Sequence, residues 1–466
     1  MFSTVVEEEK LHCKYKIIRD HLSLTGEQEV LKEWVEGFVD RDNKIVKEFQ
    51  TTFHSAFWEF YLYAVFKEAG FQIDFTKNRP DFVIDSPQKL YVEAVVANIK
   101  KGGLQENARK LEDILSMLTP AYLQENFDNE LREAITRYSN AILSKNRKYN
   151  DYANDRNFDK NAPFIIALSG YEQINYGNKF YYAMLALLYG LYYDNLNDKY
   201  VQRTYIIKPN TNAKIPIGIF LNEQLAHVSA ILFSCTVTLG KLTSLAISKN
   251  KSPIKINSVL CIRHDTEPPH FKPQIISPEN PEYLSDGLFV FHNPFAKNPL
   301  PEGLFDTTNI INVYFDVDSS QLLFEGNNLP LVARLNLPFG EQIFKHRLYQ
   351  IVEIFNPDIL FIFAEVSCLY KNENNLIEVT FRDLDDGLEF TIEFTEDDIK
   401  KYEIEEELIF CITFKLHKFS DLVIKNIEQL KLYLSLNRER CLFLNQCTII
   451  DIKKVDKPQN NQQKWR

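Results

Sequence analysis

Residues 51–98 show the most regular pattern of apolar and polar positions in the chain. Apolar side chains from Phe53 to Val65 recur at helical spacing, which predicts a helix with an apolar face, and Gly70 is typical of a helix end. After the glycine, short apolar runs alternate with turn signals, as expected for strands joined by tight turns. The pattern predicts a helix followed by three short strands, over residues 71–75, 81–85 and 90–97.

Three carboxylates interrupt this apolar pattern. Glu59 lies inside the helix, Asp81 stands at the head of the second strand, and Glu93 lies in the middle of the third. The third strand is otherwise apolar on both faces, where a carboxylate is costly unless it is paired, hydrogen-bonded or bound to a cation. If the second and third strands form a hairpin, Asp81 and Glu93 face the same side of the sheet, near the helix that carries Glu59.

A helix, a three-stranded meander and acids at these positions resemble the PD-(D/E)XK nuclease superfamily. Glu59 matches the helix acid of that family, Pro80-Asp81 matches its "PD" element, and Glu93 matches the acid of its "ExK" element. The chain departs from the family at the end of that element, because Val95 occupies the lysine position. The resemblance implies an α/β (α+β) fold with a restriction-endonuclease-like core, in which helices flank a mixed sheet.

The resemblance also implies a metal-dependent nuclease that hydrolyses phosphodiester bonds of DNA or RNA. Asp81 and Glu93 would hold Mg²⁺ or Mn²⁺, and Glu59 would assist. Mg²⁺ prefers oxygen ligands and needs only one or two carboxylates from a protein. A stand-alone nuclease of this type with an accessory domain would suit restriction or anti-phage defence.

The sequence leaves open which residue replaces the missing lysine. Lys77 lies just before the PD element and is our candidate for the catalytic lysine. Lys100 and Lys101 follow the third strand and are alternatives, and Lys241 is a more distant one. Asn98 would add polarity at the end of the third strand.

Several basic side chains near these elements are candidates for contacting nucleic acid, because Lys and Arg neutralise phosphates. They are Arg79, Lys100, Lys101, Lys145, Arg147 and Lys148. The last three stand at the end of a predicted helix over residues 129–143 and are followed by tyrosines. Cations at a helix C-terminus also complement the helix dipole, so this group has a purely structural interpretation as well.

The sequence beyond this stretch predicts more strands. Residues 163–168 read as a buried fourth strand that pairs parallel after a helical crossover. In the loop that follows, Glu172 and Gln173 are weak site candidates, because loops at strand ends commonly carry function. Further buried strands are predicted over residues 227–235, 258–262, 288–292 and 310–317.

Hairpin signals and short strands near the C-terminus predict a small β-rich, barrel-like domain, suited to a protein partner or to homo-oligomerisation. The predicted organisation is an N-terminal helical segment (1–48), the core with a helical insertion (49–320), a connector (321–355), the β-rich domain (356–456) and a disordered tail (457–466).

The chain has a net charge of −11, from 53 basic and 64 acidic residues, which weighs against a histone-like role and requires any nuclease to have a local basic groove. Its 7 cysteines are scattered without a CxxC pair, so we expect reduced thiols in a cytoplasmic protein and no zinc site. Neither a signal peptide nor a membrane span is predicted.

Two further hypotheses remain open. The fold could be a catalytically inactive descendant that binds nucleic acid or protein, which Val95 and the acidic net charge favour. Alternatively, the core is a different α/β domain whose carboxylates are structural. The positions of the three acids in space separate the last hypothesis from the first two, and activity separates the first two from each other.

Overall fold

We analysed a computed structural model of the chain. The residues it describes are 2–3, 5–77, 79–108, 124, 126–172, 179–197, 199–252, 257–265, 267, 270–337, 356, 358–384, 387–416 and 447–455. Gln173 and residues 457–466, interpreted above as a site candidate and as a disordered tail, lie outside the described residues.

The chain divides into two compact units. Unit 1 comprises residues 1–117, 126–264 and 274–338, and unit 2 comprises residues 118–125, 265–273 and 339–466. None of the helices in the described ranges has the length and the apolar character that a membrane span requires.

The described helices of unit 1 are α1 (Cys13–Asp20), α2 (Thr25–Val35), α3 (Ile45–Thr51), α4 (His54–Glu68), α5 (Phe127–Tyr152), α6 (Tyr182–Tyr189) and α7 (Leu239–Ser248). Short 3-10 turns occur at Glu8–Lys10, Leu22–Leu24, Glu106–Ala108 and Glu223–Leu225. The predicted helix around Phe53 and Val65 is therefore present as α4, and it ends just before Gly70, whose positive φ of 77° suits a glycine.

The strands up to the end of unit 1 are β1 (Gln72–Ile73), β2 (Phe82–Ser86), β3 (Leu90–Asn98), β4 (Phe164–Tyr171), β5 (Leu191–Asp194), β6 (Lys199–Gln202), β7 (Tyr205–Ile207), β8 (Lys214–Pro216), β9 (Ala230–Ser234), β10 (Ser258–His264), β11 (Phe271–Ile275), β12 (Phe289–His292), β13 (Ile311–Asp316), β14 (Gln321–Glu325) and β15 (Leu331–Leu337).

Eight of these strands form one mixed sheet in the order β1-β2-β3-β4-β9-β12-β13-β14. The strands β2 and β3 pair antiparallel as the predicted hairpin, and β4 pairs parallel with β3, as predicted for a fourth strand that follows a crossover. The strand β10, also predicted, is not part of this sheet and pairs antiparallel with β15 instead. The observed class is thus a mixed α/β fold whose large sheet is flanked by helices.

The helices α4 and α5 contact opposite faces of this sheet. Val92 and Ala94 of β3 belong to the same apolar cluster as Phe57 and Trp58 of α4. Neighbouring residues of a strand point to opposite faces, so Glu93 points away from that cluster, towards α5. The sheet therefore separates Glu93 from α4, whereas Asp81 lies near enough to Glu59 of α4 for its charge to raise the pKa of Glu59.

Unit 2 contains the strands β16 (Ile359–Lys371), β17 (Ile377–Asp383), β18 (Glu389–Phe394), β19 (Ile409–Leu416) and β20 (Cys447–Val455), and the helix α8 (Glu396–Tyr402). These strands form an antiparallel sheet in the order β18-β17-β16-β19-β20. In a closed barrel the two edge strands would pair with each other. Within the described part of this unit, the edge strands β18 and β20 do not pair, so these strands form an open sheet.

Candidate functional site

The hairpin of β2 and β3 brings Asp81 and Glu93 together. Phe82 lies opposite Val92 in this antiparallel pair, so the next residues outward, Asp81 and Glu93, also lie opposite each other. The carboxylate of Asp81 is fixed from its own hairpin, because its Oδ2 accepts a hydrogen bond of 2.7 Å from the backbone N–H of Ala94. Two predicted site acids therefore share one face of the sheet at the start of β2.

Glu93 is buried, with 1% of its side chain exposed, and three side chains of α5 surround it. Lys145 donates to Glu93 Oε1 at 2.7 Å, Lys148 donates to the same oxygen at 3.1 Å, and Tyr152 donates to Oε2 at 3.0 Å. Both oxygens of the carboxylate are therefore hydrogen-bonded, which satisfies the condition for a carboxylate in an apolar strand.

Lys145 also links Glu93 to Asp81. Its Nζ lies 3.8 Å from Asp81 Oδ2, and its side chain is 14% exposed. On the outer side, the guanidinium of Arg41 donates to the backbone carbonyl of Asp81 at 2.7 Å and to the carbonyl of Lys77. An ammonium group thus stands between two carboxylates at a place where the strand itself carries Val95 instead of a lysine.

The acids of this cluster have unequal proton affinities. Burial, followed by the charge of Asp81, raises the pKa of Glu59 to about 8. Burial and the charge of Glu93 also raise the pKa of Asp81, against the opposing effects of Lys145 and the Ala94 N–H. Burial alone would raise the pKa of Glu93 too, but the charges and hydrogen bonds of Lys145 and Lys148 outweigh it and lower that pKa.

The donor types and the charge of the cluster fit a hard divalent cation. The cluster contains three carboxyl groups, and burial together with a neighbouring carboxylate raises the pKa of two of them, Glu59 and Asp81. Oxygen ligands of this kind are those that Mg²⁺ prefers. Among the described residues, however, Glu59, Asp81 and Glu93 do not have ligand atoms that all lie within 4.8 Å of one another.

The other predicted site residues lie around this cluster or away from it. Lys77 is exposed. The pKa of Asp74 is lowered mainly by hydrogen bonds from Thr76, and the charge of Lys77 adds a smaller effect in the same direction. Arg79 is exposed beside the cluster, where its charge partly opposes the rise in the pKa of Tyr152 that burial causes. The remaining candidates for contacting nucleic acid are exposed on the surface, and Lys100 lies 3.5 Å from Glu133. They are Lys100, Lys101 and Arg147.

Two weaker candidates are located in the core. Lys241 is fully buried and donates to Glu282 at 2.6 Å. This ion pair gives Lys241 a structural role in the core, so it is not the replacement lysine. Glu172 is buried and accepts a hydrogen bond of 3.0 Å from Tyr138, and burial raises its pKa.

Sequence reasoning missed that α5 supplies the partners of Glu93. From the sequence, Lys145 and Lys148 are candidate contacts to nucleic acid or complements of the helix dipole, Tyr152 is an aromatic side chain beside them, and Arg41 has no role. A signal for the helix residues exists, because positions 145, 148 and 152 are separated by three and four residues and so lie on one helix face.

Comparison of the chain with models of protein families, with curated proteins and with solved structures gave no match.

Proposed function

We propose that this chain is a metal-dependent nuclease with a restriction-endonuclease-like core, in which Lys145 replaces the lysine that is missing at position 95. One observation carries the proposal. Lys145 Nζ lies 2.7 Å from Glu93 Oε1 and 3.8 Å from Asp81 Oδ2, so it holds an ammonium group beside both proposed metal ligands. The order of α4, β1, β2 and β3, with β4 parallel to β3, supports the core assignment.

In this proposal Asp81 and Glu93 would hold Mg²⁺ or Mn²⁺, which when bound supplies a Lewis acid and lowers the pKa of a water molecule. The chain's own residues orient these ligands. The Ala94 N–H fixes one oxygen of Asp81, and the Tyr152 hydroxyl fixes one oxygen of Glu93. A pre-oriented carboxylate does not have to reorganise during the reaction.

The two lysines have different parts in the proposal because their exposures differ. Lys145 is 14% exposed and its ammonium group lies next to the carboxylates, where it would stabilise charge that develops on a phosphoryl oxygen. Lys148 is 49% exposed, so its ammonium group is accessible to a phosphate of the substrate backbone. Burial raises the pKa of Glu59 to about 8, so at pH 7 it holds a proton and adds no charge that would repel a phosphate.

A second candidate function is a non-catalytic nuclease-fold module that binds nucleic acid or protein. The observation that favours it is the saturation of Glu93, whose two oxygens already accept hydrogen bonds from Lys145, Lys148 and Tyr152. The net charge of −11 points the same way, since it weakens non-specific binding of nucleic acid.

Cleavage of a panel of single- and double-stranded DNA and RNA, with Mg²⁺ or Mn²⁺ and with EDTA, tests the proposal. We expect metal-dependent cleavage by the wild type that Asp81→Asn and Glu93→Gln abolish. We expect Lys145→Met to lower it by at least about a hundredfold, the loss typical of removing one charge-stabilising donor. Asp85→Asn is the matched control, because this carboxylate at the far end of β2 is 52% exposed.

Two results would overturn the nuclease proposal. Cleavage that survives in Asp81→Asn would place the chemistry elsewhere or in a contaminant. No cleavage by folded wild type, together with no Mn²⁺ binding by calorimetry, would favour the non-catalytic module. Cleavage that Lys145→Met leaves unchanged would remove Lys145 from the site but leave the two carboxylates in it.

A further inference from the structure

A second group of potential metal ligands lies in unit 1, and it shares no residue with the proposed nuclease site. His12, Cys13 and Glu106 each offer one ligand atom, and these atoms all lie within 4.8 Å of one another. They come from two elements, because His12 is the N-cap of α1 and Cys13 its first residue, whereas Glu106 begins a 3-10 turn after β3. The fold thus brings together nitrogen, sulfur and oxygen donors.

His54, the first residue of α4, adds a fourth potential ligand. Its Nε2 lies 3.0 Å from Glu106 Oε1, and its ring centroid lies 5.4 Å from that of His12. Two imidazoles, a thiol and a carboxylate therefore converge from three elements. Four ligands of these types match the coordination number of a structural zinc site.

The side chains of the group are held in place by their surroundings. The His12 ring stacks on Phe53 at a centroid distance of 5.5 Å, and the His54 ring stacks on Tyr171 at 4.0 Å. The side chains of His54 and Glu106 are only 11% and 10% exposed. Packed rings that cannot swing into solvent favour a site whose geometry is set before a ligand arrives.

We propose that His12, Cys13, His54 and Glu106 bind one zinc-class divalent cation. The donor set selects the ion, because imidazole and thiolate ligands suit Zn²⁺, whereas Mg²⁺ prefers oxygen ligands alone. The ion would connect α1, α4 and the segment after β3, so the role that this placement supports is structural. The site is independent of the proposed nuclease chemistry in both its residues and its preferred metal.

Binding changes three local interactions. Cys13 gives up its thiol proton to solvent and binds as the thiolate. Its Sγ lies 3.9 Å from His12 Nδ1. Without a metal, that nitrogen accepts a hydrogen bond of 3.2 Å from the Lys14 N–H. A cation bound at Nδ1 uses the same lone pair and therefore replaces this hydrogen bond. The ammonium group of Lys14, now 3.5 Å from Glu106 Oε2, moves away from the carboxylate.

The required movement is small. Bonds of about 2.0–2.3 Å to nitrogen, oxygen and sulfur place the ligand atoms of a tetrahedral zinc ion roughly 3.3–3.8 Å apart. The ligand atoms of His12, Cys13 and Glu106, which lie within 4.8 Å of one another, therefore have to approach by about 1 Å at their widest separation. His54 would join them from its present contact with Glu106, where its Nε2 lies 3.0 Å from Oε1.

The first test is titration of the tag-free, chelator-treated full chain with Co²⁺, a spectroscopic substitute for Zn²⁺. We expect one Co²⁺ per chain with a thiolate-to-cobalt charge-transfer band that Zn²⁺ removes by competition. The Cys13→Ser variant loses the band, whereas Cys368→Ser, a substitution of an exposed cysteine in unit 2, retains it. Absence of the band from the wild type, or its persistence in Cys13→Ser, would overturn the proposal.

The second test uses the unmodified chain, so it does not depend on whether a variant folds. Zn²⁺ should slow the alkylation of Cys13 by iodoacetamide at least about tenfold, as read by mass spectrometry of the Cys13 peptide, while leaving Cys368 unchanged. Mg²⁺ should have no such effect, since it does not bind thiolates in preference to water. Equal alkylation rates of Cys13 with and without Zn²⁺ would contradict the site.

Discussion

The surroundings of two clusters of unit 1, in each of which acids face lysine or arginine, differ. The sheet-edge cluster consists of Glu59, Asp81, Glu93, Lys145 and Lys148. The core cluster consists of Lys241, Glu282 and Arg334. In the core cluster the side chains are at most 3% exposed, whereas in the sheet-edge cluster Asp81 is 30% exposed and Lys148 is 49% exposed.

The charge balance of the two clusters is opposite. Glu282 accepts from Lys241 at 2.6 Å and from Arg334 Nε at 2.8 Å, so one carboxylate faces two cations. Burial would raise the pKa of Glu282, but the charges of Arg334 and Lys241 outweigh it and hold that pKa at about 2. In the sheet-edge cluster, burial and a neighbouring carboxylate instead raise the pKa of Glu59 to about 8.

This difference separates a cluster whose charges are fully paired within the core from the cluster that carries the proposed metal site. The remaining donors of Lys241 are taken by the carbonyls of Tyr283, at 2.7 Å, and Asp286, at 3.0 Å, so the core cluster is complete without a ligand. The sheet-edge cluster instead contains two acids with a raised pKa, Glu59 and Asp81, and it borders solvent at Asp81 and Lys148. Carboxyl groups with raised pKa values at the surface are typical of sites that bind a cation or transfer a proton.

The largest effect that tests this comparison is expected in the core cluster. The substitution Glu282→Gln removes the carboxylate that pairs with the buried Lys241 and Arg334, and breaking a buried ion pair typically costs about 3–5 kcal/mol of unfolding free energy. Urea denaturation of wild type and variant measures the difference. The control is Glu302→Gln, an exposed acid in the same unit, for which we expect a change within about 0.5 kcal/mol. Equal effects of the two substitutions would mean that the core cluster does not stabilise the fold.

The corresponding substitution in the sheet-edge cluster should cost less. In Glu93→Gln the amide oxygen still accepts one hydrogen bond, and Lys148, which is 49% exposed, can be hydrated instead. We expect a loss of about 1–2 kcal/mol of unfolding free energy, measured by the same denaturation. A loss as large as that of Glu282→Gln would show that the two clusters are equally structural.

The sequence predicted what is local in these clusters. Asp81 and Glu93 are linked by a hairpin with a turn signal at Ser86-Pro87, so their pairing follows from the strand pattern alone. Glu59 precedes this hairpin on a helix that the apolar periodicity predicts. Contacts between residues close in the chain require little beyond the correct secondary structure.

The cations of both clusters could not be assigned because they come from distant parts of the chain. Lys145 is 52 residues from Glu93 in sequence, and Arg334 is likewise 52 residues from Glu282. Such contacts depend on the order of strands in the sheet and on which face a helix covers. The same reason explains why the sequence analysis did not expect the zinc-class site, whose ligands stand at positions 12, 13, 54 and 106.

The two clusters should give stability a dependence on pH with opposite signs. The folded chain holds the Glu59 proton more tightly than the unfolded chain, because the pKa rises from 4.5 to about 8, so unfolding free energy falls as pH increases through this range. The pKa of Glu282 falls from 4.5 to about 2, so its contribution is present above pH 4.5 and is lost on acidification towards pH 2.

Urea denaturation at a series of pH values measures these contributions. The substitution Glu59→Gln should make the decline between pH 4.5 and 8 shallower and leave the stability on the acid side unchanged, while Glu302→Gln should change neither. An identical pH profile for Glu59→Gln and wild type would contradict the raised pKa of Glu59.

The smallest expected change in stability is also the one that separates the clusters most clearly. The substitution Asp81→Asn removes a charge whose pKa is raised by burial and by Glu93, and the amide oxygen can still accept from the Ala94 N–H. We therefore expect unfolding free energy to stay constant or to rise by up to about 1 kcal/mol, while Mn²⁺ binding and cleavage are lost. Asp85→Asn, on the same strand but 52% exposed, should change neither stability nor binding. If Asp81→Asn instead destabilised the chain as Glu282→Gln is expected to, Asp81 would be a structural acid, and the contrast between the two clusters would disappear.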